Sequence, residues 1–178
     1  HHLPASRTLQ IAQSLYERHK AITYPRTDSK ALPEDYGDTC REILPILPRE
    51  FKSFTDKIIS ENWVDQSNKK IFDNAKISDH FAIIPTNNVP KSLDDYERRI
   101  YNLIVKRFLA VFHPPAQWDV TTRISKVGDH SFKTEGKVLV EASWLAIYGK
   151  DKITADTLVP LTEEDNHRGK LADCFVET

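Results

Sequence analysis

The stretch "SLDDYERRIYNLIVKRFLAVFHPPAQWDVTTRIS", residues 92–125, changes its apolar period partway along. Tyr96, Ile100, Leu103, Ile104, Phe108, Val111 and Phe112 recur at three- and four-residue steps, the spacing of an amphipathic helix. Ser92 and Asp95 read as an S-x-x-D capping box at its start. His113-Pro114-Pro115 ends it, because proline lacks the donor a helix needs and biases its predecessor toward extended backbone. From Trp118 the period becomes two. Trp118, Val120, Thr122 and Ile124 alternate with Asp119, Thr121, Arg123 and Ser125, as in a half-buried strand. Gly128-Asp129 reads as a hairpin turn, and "KVLVEASWLAIY" (137–148) as further strand.

Upstream the pattern is helical. "TLQIAQSLYERHK" (8–20) sets Leu9, Ala12 and Tyr16 on one face beside Ile11 and Leu15, with cations at the C-terminal end where the helix dipole favours them. Pro33-Glu34-Asp35 starts a second helix, which Pro45 and Pro48 end. Phe51, Phe54 and Ile58 mark a third over 49–62. Residues 64–90 are turn-rich around "FAIIP". The expected fold is therefore α+β, an α-rich domain over 4–113 and a β-rich one over 116–178, jointed at Pro114-Pro115.

An apolar fraction of 39% supports a core, and 29% charged residues a solvated surface rather than disorder. A net charge of −1 gives no global field for polyanions, so any phosphate site must be local. Residues 1–30 hold Arg7, Arg18, Lys20, Arg26 and Lys30 against Glu17 and Asp28, a local excess of three positive charges. Cys40 and Cys174 are far apart and lack zinc-site spacing, as expected of a reducing cytoplasm. No apolar run reaches the roughly 18–20 residues of a membrane-spanning helix. The chain opens on His1-His2 rather than Met; it is expected to be cut from a longer polypeptide, the histidines a tag remnant.

The chemistry concentrates in "AITYPRTDSKALPEDY" (21–36). A tyrosine hydroxyl, with a pKa of about 10, is a poor nucleophile unless cations favour phenolate and stabilise charge on the substrate. Arg26 stands two residues beyond Tyr24, on the same side in extended backbone, and Pro25 biases Tyr24 toward extended geometry while fixing its own φ. Thr27-Asp28-Ser29 can turn the chain. An arginine fork suits phosphate, so the arrangement points to phosphoryl transfer to tyrosine oxygen; the alternative is a packed tyrosine beside a surface arginine. In "SDHFAIIPT" (78–86), His80 beside Asp79 could carry a proton to phosphate or to a leaving oxygen, or be structural.

Together "AQSLYERHKAITYPRTDS" (12–29), "LPEDY" (32–36), "SDHFAIIPT" (78–86), "YERRIYNLIVKRFLAVFHPPAQWDVTT" (96–122) and the looser "FKTEGKVLVEASWLAIY" (132–148) resemble type IA DNA topoisomerases, most closely the topoisomerase III branch. The motifs lie in the family's order over about 140 residues. The resemblance implies that Tyr24 attacks a single-stranded DNA phosphodiester, forming a 5′-phosphotyrosine and freeing a 3′-hydroxyl. It implies that Arg26 contacts the scissile phosphate and positions the tyrosine, that His80 contacts DNA near it, and that Thr27, Asp28 and Ser29 line the DNA site, with Glu17 in support. It also implies a magnesium ion held by a Toprim domain of the same parent chain, and a cytoplasmic, nucleoid location. The family's Asp-x-Asp-x-Glu magnesium cluster has no match here, Glu163-Glu164-Asp165 being a contiguous solvated run. The expected product is thus a tyrosine-bearing domain plus part of the β-rich toroid, or arch, inactive by itself, with no metal ligands of its own.

Other readings carry less. A replication-initiator nuclease needs a His-x-His pair, and a tyrosine recombinase places its tyrosine after dispersed arginines; neither order occurs. A non-catalytic DNA-binding module remains as the alternative. Arg98, Arg99, Lys106 and Arg107 could line a DNA path or form a solvated face. Trp118, Trp144 and Tyr148 read as core aromatics before base-stacking ones, and Trp63 fits either role.

Overall fold

The computed structural model describes residues 3–150. Glu163-Glu164-Asp165, Cys174 and the later part of the expected β-rich domain lie outside them. Four α-helices come first: α1 (Ala5–Glu17), α2 (Gly37–Ile43), α3 (Lys52–Ser60) and α4 (Asp95–Phe112). A two-stranded antiparallel ribbon follows, β1 (Gln117–Val127) and β2 (His130–Glu141), and then a 3-10 segment, Ser143–Tyr148. Helices plus antiparallel strands make the chain mixed α+β.

The helical part closes on one apolar core. Ile11 and Leu15 of α1, Ile43 of α2, Ile58 of α3 and Val105, Phe108 and Leu109 of α4 are all buried in it. Cys40 lies there too, as a free thiol that burial pushes up to about 12. The two irregular stretches are pinned to this core by isolated bridges. Ile22 pairs with Pro85 and Leu32 with Phe72. Backbone bonds from Thr23 N–H to Ile84 O (3.0 Å) and from Ala82 N–H to Ala31 O (2.9 Å) hold residues 21–32 against 81–86. Phe72, Ile22 and Pro85 are among the most deeply buried side chains, so these loops are anchored as firmly as the helices.

Several boundaries differ from the sequence expectations for identifiable reasons. The second helix starts at Gly37 rather than at Pro33, because residues 33–36 close a turn in which Tyr36 N–H donates to Pro33 O. The capping box on α4 is Asp94 with Glu97, not Ser92 with Asp95. The Asp94 carboxylate accepts from the N–H groups of Tyr96 and Glu97, and the Glu97 carboxylate accepts from Asp94 N–H. The D-x-x-E pair prevails because its glutamate reaches back to the N-cap and also finds partners on α1.

The ribbon is not half-buried. Val120, Ile124, Val127, Phe132, Val138 and Val140 are all exposed, since among the described residues no second layer covers either face. Its turn is the expected Gly128-Asp129, with Gly128 at φ +59°. The strand expected over 137–148 stops at Glu141. Ser143 takes φ +43° and its hydroxyl donates to Pro114 O (2.6 Å), which closes the ribbon's base. Leu145 and Ile147 are then buried, Ile147 in the helical core, where a continued strand would have left them in solvent.

Candidate active site around Tyr24

The loop after α1 is set by an unwound helix end. His19 N–H reaches Ser14 O (3.2 Å) and Ala21 N–H reaches Leu15 O (2.9 Å), both wider than α-helical bonds. Lys20 turns the chain at φ +53°. Ala21, Ile22 and Pro25 are buried, while Tyr24 is half-buried between them. Its ring meets the His80 ring at 4.2 Å between centroids, and the Tyr16 ring edge-on at 5.4 Å. Two segments far apart in sequence thus converge on one tyrosine.

The chain bends at Thr23 and Pro25, so the simple extended alternation from Tyr24 to Arg26 is not followed. Instead the two residues line neighbouring clefts that share His80. One cleft, about 400 Å³, is lined by Arg26, Thr27, Asp28, Ser78, Asp79 and His80. The other, about 380 Å³, is lined by Tyr16, Lys20, Tyr24, His80, Phe81 and Asn88 among others. Arg26 is solvent-exposed yet oriented. With the Gln13 amide oxygen turned toward it, Gln13 accepts from Arg26 Nη2 at 3.0 Å and from Nε at 3.2 Å. Gln13 thus engages Nη2 and Nε and not the second terminal nitrogen, Nη1.

The hydroxyls of Thr27 and Ser29 are spent inside the protein. Thr27 Oγ1 donates to His80 O (2.8 Å) and accepts from Ser29 N–H (3.0 Å). Ser29 Oγ donates to Lys76 O (2.8 Å) and accepts from Ala31 N–H. Each hydroxyl has one proton to give. These two therefore hold the 76–80 segment, and His80 with it, against the tyrosine loop. Thr23 does the same one turn earlier, donating to Ala82 O and accepting from Ile84 N–H, both at 2.9 Å. Asp28 is exposed at the rim, and Asp79 faces the same cleft without a hydrogen bond to the His80 ring. Glu17 is exposed at the end of α1 and lines neither cleft.

Gln13, Tyr16 and Thr23 were not singled out by their chemistry in the sequence. A usable signal existed for the first two: Gln13 and Tyr16 are three apart on α1 and so share an edge.

A family profile described as "DNA topoisomerase" matches residues 1–175. The chain belongs to the DNA topoisomerase family, in its type IA branch. It is topoisomerase III-like, being 41% identical over 147 residues to "DNA topoisomerase 3" of Bacillus cereus, 81% of this chain and 20% of that protein. It is 38% identical over 170 residues to the protein of that name from Bacillus thuringiensis, 90% of this chain and 23% of the relative. For Bacillus subtilis "DNA topoisomerase 3" the figures are 40% over 148 residues, 81% and 20%. The chain spans about a fifth of the length of these relatives.

The described residues include no group of three or more His, Cys, Asp or Glu side chains able to hold a metal. No described helix is long and apolar enough to cross a membrane. Among the remaining candidates, Arg98, Arg99 and Arg107 are exposed on α4, with Arg98 donating to Leu93 O and Arg99 over the Tyr96 ring. Lys106 is half-buried on the same helix. Trp63 sits edge-on to buried His113 at 4.9 Å with Lys57 over its own ring, and Trp144 stacks edge-on with Tyr148. Trp118 is on the ribbon, partly exposed.

Proposed function

We propose that this chain carries the cleavage and religation chemistry of a type IA topoisomerase acting on single-stranded DNA. The Tyr24 hydroxyl oxygen attacks the scissile phosphorus. The new oxygen–phosphorus bond forms as the bond to the 3′ oxygen breaks. The tyrosine gives up its proton, the departing oxygen takes one, and the products are a 5′-phosphotyrosine and a 3′-hydroxyl. Reversal reseals the strand with no nucleotide hydrolysis, because one phosphodiester has been exchanged for another.

Arg26, oriented by Gln13, is assigned to the non-bridging phosphate oxygens, where a fixed guanidinium acts on charge as it develops. His80 is assigned to DNA contact and proton traffic beside the tyrosine. Thr27 and Ser29 serve by holding His80, and Asp28 by confining a phosphate to the Arg26 side of the cleft. In this reading residues 4–113 form the tyrosine-bearing unit and the ribbon begins an arch over the DNA. A Toprim domain of the same parent chain supplies the magnesium site, the isolated chain is inactive, and the protein works on nucleoid DNA in the cytoplasm. The observation that supports this best is the convergence of Tyr24, His80 and the Arg26 cleft within a chain of this family.

The test uses the full-length polypeptide bearing this chain, magnesium and an internally labelled single-stranded oligonucleotide, stopped with denaturant. A covalent adduct on the 5′ end of the downstream fragment, absent in Tyr24→Phe, is the expected result. An adduct that survives in the variant assigns the attack to another residue. Strand binding with no adduct makes the chain a non-catalytic DNA-binding module.

A further inference from the structure

Lys20 occupies a backbone position that suits glycine. At φ +53° its Cβ is crowded by backbone, which is why helices that end in a left-handed residue usually place Gly or Asn there. Attraction to the dipole at the end of α1 does not explain the lysine, because Arg18 and His19 already supply that end without a positive φ. Strain of this kind persists where the side chain is needed, so the position of the ammonium is informative.

The Lys20 ammonium stands 5.7 Å from the centre of the Tyr16 ring, and Lys20 lines the cleft of about 380 Å³ that shares His80 with the Arg26 cleft. It makes no ion pair among the described residues, and no carboxylate lines that cleft. The Arg26 cleft, by contrast, carries Asp28 and Asp79. Tyr16, Tyr24, His80, Phe81 and Asn88 are among its lining residues of the Lys20 cleft, with the Tyr24 ring in contact with those of Tyr16 and His80 and the Phe81 ring packed on Tyr36 at 4.9 Å. The backbone is held in place, since Thr86 Oγ1 donates to Lys20 O and accepts from Asn88 N–H (3.2 Å). An unpaired cation over ring faces is the equipment for a single-stranded nucleotide, phosphate on the ammonium and base against the rings.

We propose that Lys20, with Tyr16, Phe81 and Asn88, forms a nucleotide subsite flanking the scissile phosphate, in the cleft that Tyr24 lines rather than the one Arg26 lines. This inference rests on the reading of Tyr24 as the nucleophile. It adds a second phosphate contact and a base platform to the strand's path.

The experiment measures binding of a fluorescein-labelled single-stranded oligonucleotide to the chain by anisotropy over a range of KCl, with melting temperatures alongside. Lys20→Gly and Lys20→Asn are expected to melt a few degrees higher, because both residues accept the left-handed conformation. They are expected to bind the strand several-fold more weakly, with a salt slope shallower by about 0.7, the loss of one phosphate contact. Lys20→Arg restores wild-type binding. Unchanged affinity and slope in Lys20→Gly overturns the subsite, as does absence of strand binding by the wild-type chain. The adduct assay on the full-length polypeptide separates the two readings: an adduct with Lys20-independent binding leaves Tyr24 as nucleophile and removes only the subsite. Lys20-dependent binding with no adduct removes the nucleophile, and with it the claim that the subsite flanks a scissile phosphate, leaving Lys20 as a strand contact only.

Discussion

The Tyr24 hydroxyl makes no hydrogen bond among the described residues, while its ring is held by Tyr16 and His80. Removing the oxygen therefore breaks no internal bond. Tyr24→Phe is expected to change stability by less than about 0.5 kcal/mol in a urea melt while abolishing the covalent adduct in the cleavage assay. Arg26 is exposed, so Arg26→Ala is likewise expected to leave the melt nearly unchanged. Loss of a charge-stabilising donor should lower the single-turnover cleavage rate by about a hundredfold or more. Arg26→Lys should not recover that rate, because an ammonium cannot bond both to Gln13 through two nitrogens and to phosphate through a third. Tyr24, Arg26 and His80 were readable from the sequence as candidates because they are reactive residue types in dense local motifs. Gln13 and Tyr16 were not, because each acts through space on a residue of another segment.

Helix α4 is tied to α1 through one carboxylate. Glu97 is 4% exposed, and it accepts from Ser14 Oγ (2.8 Å), Arg18 Nη2 (2.7 Å) and Asp94 N–H (3.1 Å), with His19 Nε2 at 3.2 Å. Burial pushes its pKa upward, but the bonds from Ser14, Asp94 N–H and His19 outweigh that and hold it below the ordinary glutamate value. The stabilisation it gives is complete above the unfolded value of about 4.3 and drains away as pH falls through the lower folded value. Glu97→Ala is expected to cost about 2–3 kcal/mol in chemical denaturation, since it removes a cap and strands part-buried donors. A second buried group acts at higher pH. Burial lowers the pKa of His113, whose Nδ1 lies 3.0 Å from Leu109 O and whose Nε2 has no partner. Its folded form stays neutral while the unfolded chain begins to protonate near pH 6.5, so stability is full above that pH and falls below it. The melting temperature of wild type is expected to decline between about pH 6.5 and 5, and His113→Phe to flatten that decline.

The whole molecule divides unevenly between a packed helical body and a ribbon in solvent. The segment 143–148 returns to the body, with Ile147 3% exposed inside the core. Ile147→Ala is expected to cost about 2–4 kcal/mol by urea unfolding, in the range for a truncated core isoleucine. Ile124→Ser, on a ribbon residue 56% exposed, should change the same measurement by less than about 0.5 kcal/mol. A large loss at Ile124 would mean that the ribbon face is covered.

Short-range patterning determined the elements of this protein. The period of 3.6 over 96–112, the period of two over 118–125 and the two prolines between them encode which faces are apolar, and that is enough for helix, strand and joint. What those faces meet is not encoded locally. The period-two alternation in β1 is genuine, yet nothing in it says whether a second layer lies above the ribbon. The apolar residues 145–148 continue a strand pattern, yet Leu145 and Ile147 are buried by a turn back to the helical body. The site shows the same division. The reactive types around Tyr24 and His80 are plain in the sequence, but residues 21–32 and 71–86 have no period at all. Only the bridges Ile22–Pro85 and Leu32–Phe72 bring the two segments together, because their backbone bonds and buried side chains pair partners that sequence distance hides.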